Sequence, residues 1–360
     1  MKSLLHCRPL LGFLFVFIFF FFWAFPEATT SYELVSESLI KRSKQIRLPD
    51  AIGPESMAFD CRGRGPYVGV SDGRILKWRG HLRRWGEYTF TSPNRNRTLC
   101  DGTKDPKVEK LCGRPLGLKF DNRTCALYIA DAYYGLLRAR RSGGPAERVA
   151  PGYGGAPFKL TNGLDINTDT GEVYFTDSSK FFQRRGIVLA IMQGDASGRV
   201  MKYDPRTGNV SEVLTSLSFP NGIALSKDNS FLVVAEMGLA QLTRIWIKGR
   251  WAGTKAIFGK LARYPDNLKR TQNGEFWVAL ASGRGQLLRE VRINSAKDDD
   301  DIPWFTKDPV AIKYDPNGSV VQILDGQYGK MLEAVSEVAE FHQALWIGSV
   351  VMPYMVKCRL

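Results

Sequence analysis

The sequence predicts an all-β protein, a six-bladed β-propeller with four-stranded blades. Three observations carry this. A strand–turn–strand unit recurs six times along the chain, at spacings of 45–70 residues. Turn-bounded strand candidates fill the gaps between copies. No long amphipathic helical period competes with them. A repeat of this length made only of strands is the mark of a propeller. Two β-sandwiches would explain the spacing less well, and no Pro/Gly/Ser-rich linker divides the chain.

The copies can be taken in order. The first is PESMAFDCRGRGPYVGV (54–70) and the second PLGLKFDNRTCALYIAD (115–131). The third, NGLDINTDTGEVYFTD (162–177), and the fourth, NGIALSKDNSFLVVAE (221–236), are the clearest. DNLKRTQNGEFWVAL (266–280) and SEVAEFHQALWIGS (336–349) complete the set. Between copies, GRVMKYDPRTGNVSEVL (198–214) and VAIKYDPNGSVVQIL (310–324) read as further hairpins. Asn-Gly between strands is ordinarily a hairpin turn. Here it precedes the first strand, and the turns fall at 167–171 and 226–230. The first strand of a blade lines the central channel, so these asparagines face their counterparts in other blades.

Residues 1–30 stand apart. Lys2 and Arg8 precede a phenylalanine-rich apolar run at 10–25, followed by small residues from Ala28 to Ser31. That pattern suits a secretory signal peptide, with an uncleaved anchor as the other reading. Only the second would place the protein on a membrane. The domain expected after it spans 32–360. Sequons at Asn96, Asn122, Asn209 and Asn317 agree with passage through the secretory pathway. So does the segment between Cys100 and Cys112, which reads as a disulfide-closed loop rather than a zinc site, since no second pair or histidine completes one. Cys61, Cys125 and Cys358 have no evident partner. The expected locations are the vacuole, endoplasmic reticulum or cell exterior.

The 50 Lys and Arg against 36 Asp and Glu leave a net charge of +14. They are scattered, without a basic block or a recognition motif, so nucleic acid is not the expected partner. A small molecule in the channel is. The oligomeric state is not encoded in any pattern here.

The position before each first strand holds Glu55, Asn162, Asn221, Asp266 and Asn267, with Pro115 in the second copy. All but the proline are oxygen donors, and the two carboxylates would balance a divalent cation. Six to eight hard oxygens are what Ca²⁺ takes. The absence of His and Cys from the set argues against zinc or copper. The plainer reading is that these residues cap strand ends and bind water.

The stretches EKLCGRPLGLKF, LYIADAYYGL, GGAPFKLTNGLDINTDTGEVYFTDSS, GRVMKYDP, PNGIALSKDNSFLVVAE and LWIGSV make the chain resemble the plant strictosidine synthase-like family. The resemblance implies a six-bladed propeller and a disulfide at Cys100 and Cys112. Its best-known member condenses tryptamine with secologanin in a Pictet–Spengler reaction, using an acid–base glutamate. That position falls on Ser336 here, between Glu333 and Glu337, and the synthase's substrate-contacting histidine falls on Ala334. Related propellers, the paraoxonases, gluconolactonases and diisopropyl-fluorophosphatases, are calcium-dependent hydrolases. Their ligand pattern matches Glu55, Asn162, Asn221, Asp266 and Asn267 in order, and it implies catalytic Ca²⁺.

The expected activity is therefore metal-dependent hydrolysis of a small ester or lactone, with Asp266 assisting attack. The alternatives are a condensing enzyme, which Ser336 argues against, and a non-catalytic binding propeller. The paraoxonase histidine has no counterpart, its place being near Tyr133 and Tyr134. His81 and His342 read as structural. No Gly-x-Ser-x-Gly elbow is expected in the chain, which argues against a serine hydrolase. The aspartate run at 298–301 reads as an exposed loop, and PGYGGAP (151–157) as a connection between blades. Tyr133, Tyr134, Phe158 and Met237 are candidates for either pocket wall or core.

Overall fold

A computed structural model describes residues 33–35, 43–281, 308–326, 332 and 334–360. All lie in the unit Tyr32–Leu360. The leader, the aspartate run and Glu333 fall outside the described residues.

The repeats fold as six antiparallel sheets around an axis. Blade 1 comprises Met57–Ala58, Tyr67–Gly69, Arg74–Trp78 and Trp85–Phe90. Blade 2 comprises Pro115–Phe120, Leu127–Asp131, Gly135–Ala139 and Glu147–Ala150. Blade 3 comprises Thr161–Ile166, Val173–Asp177, Gly198–Tyr203 and Val210–Leu217. Blade 4 runs Pro220–Leu225, Phe231–Glu236, Gln241–Trp246 and Lys255–Lys260. Blade 5 runs Pro265–Arg270, Phe276–Leu280, Pro309–Tyr314 and Val320–Asp325. Blade 6 has Glu337–Glu340, Ala344–Gly348 and Tyr354–Arg359, and takes its outer strand, Lys44–Arg47, from the other end of the chain. Parallel edge strands at Gly144–Pro145 and Glu33–Val35 extend blades 1 and 5.

The sequence of each strand follows its depth. Second strands such as VYFTD (Val173–Asp177) and FWVAL (Phe276–Leu280) are buried throughout, because blades stack on both their faces. The outer strand Val210–Leu217 is mostly exposed or half-buried, and Ser211, Glu212, Thr215 and Ser216 interrupt its apolar residues. The core is not one mass but a wedge between each pair of blades. Leu118 and Ile129 of blade 2 meet Tyr67 and Ile75 of blade 1, and Phe276 and Val278 of blade 5 meet Val233 and Leu242 of blade 4. Each such side chain contributes about 1.5–3 kcal/mol by leaving water.

The ring closes between blades 6 and 1. Glu337 is buried there and accepts from Ser56 Oγ (2.7 Å) and the Met57 amide (2.7 Å), with Lys269 Nζ at 3.2 Å. Two disulfides tie connections together. Cys100–Cys112 closes the loop after blade 1, and Cys61–Cys125 joins the first turns of blades 1 and 2. The second pairing assigns two cysteines whose spacing carries no signal. Cys358 is free and buried in the core of blade 6.

Alternating strand direction gives the propeller two faces. Connections between blades, and between second and third strands, lie on the mouth face, where first strands begin. First turns and third-to-fourth turns lie on the far face. Asn122, Asn209 and Asn317 sit in exposed far-face turns, and Asn96 sits exposed on the mouth-face loop after blade 1. The segment 151–157 is a small hairpin, Gly152–Tyr153 with Ala156–Pro157, on the mouth face.

Gly163 and Gly222, which follow Asn162 and Asn221, do not serve turns. A Cβ on Gly163 would meet Asn221 O at 2.7 Å, and one on Gly222 would meet the Leu268 amide at 2.4 Å. Inner strands pack backbone to backbone at the axis, and only glycine permits it. Gly222→Ala is expected to destabilise the fold by about 1–3 kcal/mol through overpacking. Urea denaturation checks this, and an unchanged midpoint would refute the close approach.

Candidate metal centre

The inner strands carry the candidate ligands to the axis by their first residues. Asn162 and Asn221 each hold the second position of a first strand, and Asp266 and Asn267 the second and third of another. Glu55 precedes the short strand of blade 1, its amide bonded to Gly69 O at 3.2 Å. All five side chains are buried.

They are also linked to one another. Asn221 Nδ2 donates to Asp266 Oδ1 at 2.9 Å, and Asn267 Nδ2 to the Glu55 carbonyl at 3.4 Å. Asn162 Nδ2 donates to Ser178 Oγ at 3.3 Å. Every amide thus turns its nitrogen to a protein acceptor. The oxygens are left over. Asn162 Oδ1 and Asn221 Oδ1 are buried without a hydrogen-bond partner among the described residues. A buried acceptor left unpaired costs about 1–3 kcal/mol. Glu55 Oε1 and Asp266 Oδ2 likewise take no hydrogen bond from any described residue.

The two carboxylates differ. Glu55 Oε2 is held by Arg114, with Nη2 at 2.8 Å and Nε at 3.2 Å, and the same Nη2 reaches Val350 O at 3.1 Å. Asp266 forms no ion pair among the described residues. Burial pushes its carboxyl well above the ordinary range, the Glu55 charge adds to this, and the Asn221 hydrogen bond opposes it. Burial and the Glu55 charge thus both oppose ionisation of Asp266, and a nearby cation would favour it.

Arg114 is the residue that sequence reasoning missed. The second copy places Pro115 at the ligand position, but the arginine just before it enters the channel and is 2% exposed. The visible signal was a lone basic residue ahead of an apolar inner strand. Above the centre, Arg184 Nη1 spans both Glu109 oxygens at 2.8 and 3.0 Å, and Tyr133 OH donates to Glu109 Oε2 at 3.1 Å. This link joins mouth-face loops of blades 1, 2 and 3, and nothing in the sequence marks it.

The residues fit a hard cation. No three His, Cys, Asp or Glu gather as a metal cluster among the described residues. A metal here would rest on two carboxylates completed by amide oxygens, a donor set suited to calcium and ill suited to zinc.

Ser336, at the position of the synthase's glutamate, is turned into the protein. Its hydroxyl is fully buried and donates to Glu55 O at 2.7 Å. Glu337 faces the blade 6–blade 1 seam, as described above. Ala334 is half-buried beside blade 6. His81 packs edge-on against Trp78 and His342 stacks on Phe341, both on the far face. Phe158 and Met237 are core residues, Phe158 against Phe175. Tyr134 donates to Leu111 O at 3.0 Å, so it anchors a loop. A Gly-x-Ser-x-Gly match does exist, at 69–73, contrary to the expectation that the pattern is missing. It spans strand, turn and strand rather than strand, turn and helix, and Ser71 Oγ donates to Thr103 O, so it forms no nucleophile elbow.

A six-bladed propeller with an oxygen-rich axis is the class this geometry defines. Solved structures of that shape include a gluconolactonase from Xanthomonas campestris, with TM-score 0.61, 17% identity and coverage of 91% of this chain and 93% of that one. A calcium-binding regucalcin from Agrobacterium tumefaciens matches with TM-score 0.58 at 12% identity, covering 88% and 93%. At such identity these share the fold. Sequence places the chain more closely. The strictosidine synthase profile matches residues 162–250, and the N-terminal profile of the strictosidine synthase-like proteins matches 40–78. Arabidopsis thaliana strictosidine synthase-like protein 10 is 42% identical over 333 residues, covering 89% of this chain and 88% of the relative. Strictosidine synthase-like protein 3 of the same plant is 40% identical over 355 residues, covering 92% and 88%. The chain belongs to the strictosidine synthase-like family.

Proposed function

We propose that this protein is a calcium-dependent hydrolase of a small ester or lactone, working in the secretory pathway, and not a condensing enzyme. The observation that carries this reading is the pair of buried amide oxygens, Asn162 Oδ1 and Asn221 Oδ1, left without hydrogen bonds among the described residues, Asn221 being bonded through its nitrogen to Asp266.

Glu55, Asn162, Asn221, Asp266 and Asn267 would hold the ion. Bound there, calcium supplies Lewis acidity toward a carbonyl oxygen. The chain's residues do the rest. Arg114 fixes the Glu55 carboxylate through Oε2 and leaves Oε1 free. Asn221 orients Asp266 through Oδ1 and leaves Oδ2 without a hydrogen bond among the described residues. Ionised when the cation is bound, the Asp266 carboxylate would serve as the base that takes a proton from an attacking water. The Arg184–Glu109–Tyr133 link ties the mouth-face loops of three blades together. Likeness to a gluconolactonase and a calcium-binding protein supports this at the level of fold. The two disulfides suit an oxidising compartment. The expected N-terminal signal at 1–30 and the sequons at Asn96, Asn122, Asn209 and Asn317 belong to the same reading.

Purified protein is expected to retain calcium and to hydrolyse aryl esters or lactones, with chelation abolishing the activity. Asp266→Ala is expected to lose both the ion and at least about 100-fold in kcat/KM. Absence of calcium from both proteins would reject the reading. Strictosidine formed from tryptamine and secologanin would favour condensation instead.

A further inference from the structure

A cavity of about 850 Å³ opens on the far face, between the turns of blades 1, 2 and 6. The first strands run the depth of the ring between it and the channel residues. It is therefore a second place on the molecule, independent of the calcium reading.

Its lining is unusual in charge. Arg64, Lys77, Arg79, Arg83, Arg141 and Lys357 contribute to it, against Glu87 as the acidic member. Glu87 is already taken, both its oxygens lying 2.8 Å from Arg97. The nearby Asp60 is committed as well, bonded to Arg64 Nε at 2.8 Å, to Tyr67 OH at 3.0 Å and to two backbone amides. Lys77 Nζ reaches Asp60 only at 3.8 Å. Arg79, Arg83, Arg141 and Lys357 have no acidic partner among the described residues. Burial holds the Lys77 ammonium below its usual range, and the Arg64 charge lowers it further. Asp60 offsets part of the charge of Arg64 and Lys77, while Arg79, Arg83, Arg141 and Lys357 are gathered without an anion among the described residues to offset their repulsion.

The walls are aromatic. Phe59 stacks on Phe341 with ring centres 3.8 Å apart, and Trp346 meets Phe59 edge-on at 5.4 Å. Trp78 and Tyr88 complete the apolar side. The volume falls in the range of small-molecule sites, about 300–1,000 Å³, which join apolar walls to a few polar anchors. Guanidinium groups suit the planar recognition of phosphate oxygens.

We propose that this far-face cavity binds a small organic phosphate, a flat ring carrying a phosphate group, with the ring against Phe59, Trp78 and Trp346 and the phosphate among Lys77, Arg79 and Arg83.

Titration of the full protein with phenyl phosphate, read by tryptophan fluorescence, tests this. Saturable binding is expected, with inorganic phosphate and benzyl alcohol each at least about tenfold weaker. Arg79→Gln with Arg83→Gln, both exposed on one turn and so harmless to folding, is expected to weaken phenyl phosphate at least about tenfold. Lys77→Gln is expected to act in the same direction. Asp266→Asn in the channel is expected to leave it unchanged, which separates this site from the calcium centre. Unaltered affinity in the Arg79/Arg83 variant, lack of saturation at millimolar ligand, or loss of binding in Asp266→Asn would overturn the proposal. Equal affinity for inorganic phosphate would overturn the role of the aromatic wall.

Discussion

Glu337→Ala is expected to cost about 3–5 kcal/mol of stability, the range seen when one partner of a buried ion pair is removed. The side chain is buried at the only seam where the last blade meets the first. It accepts from Ser56 Oγ and Met57 N and pairs with Lys269, whose side chain is 16% exposed. The substitution strands that ammonium and two donors at once. Lys269 Nζ also donates to Leu118 O at 3.1 Å, so the loss spreads toward blade 2. Glu337→Gln keeps the shape and an acceptor oxygen, and is expected to lose less. Chemical denaturation reads both. A change below about 1 kcal/mol in the alanine variant would show that the seam is held by packing of Met57, Ala344 and Met355 instead.

The second large effect is a dependence of stability on pH that calcium reverses. Burial and the Glu55 charge raise the Asp266 carboxyl above its unfolded value of about 3.9. A raised carboxyl binds its proton more tightly in the folded state. Its contribution is complete below about pH 4 and is lost as the pH climbs through the folded value. Metal-free protein should therefore become less stable over that window. Glu337, also raised by burial, adds to the slope in the same sense. Calcium requires Asp266 ionised, so its binding should strengthen as the pH rises. At 100 times its Kd the ion would restore about 2.7 kcal/mol. Asp266→Asn is expected to flatten the metal-free slope and to remove most of the calcium response. Thermal unfolding across pH, with chelator and with calcium, measures both. A wild-type protein whose unfolding temperature ignores calcium at neutral pH would count against the proposed centre.

Much of the fold could be read without coordinates. A sheet buried on both faces demands near-continuous apolar strands, and VYFTD, FWVAL and ALWIG announce them. The turns at 167–171 and 226–230 follow from residues that favour them. Less of the site was legible. Glu55, Asn162, Asn221, Asp266 and Asn267 could be listed, since each opens a repeat. Arg114 could not, because its own repeat puts a proline at that position and the arginine enters from one residue earlier. The Cys61–Cys125 bond joins different blades 64 residues apart, and spacing alone cannot pair such residues.

The sequence by itself determined the repeat, the polarity of each strand and the donor type at the axis, because these depend on local period and side-chain chemistry. The tertiary structure decided what those donors meet. It set Arg114 on Glu55, turned the amide nitrogens of Asn162 and Asn221 to protein acceptors so that their oxygens stayed unpaired, and gathered cations from three blades on the far face. Those contacts join residues tens to hundreds of positions apart, and only closure of the ring sets their distances.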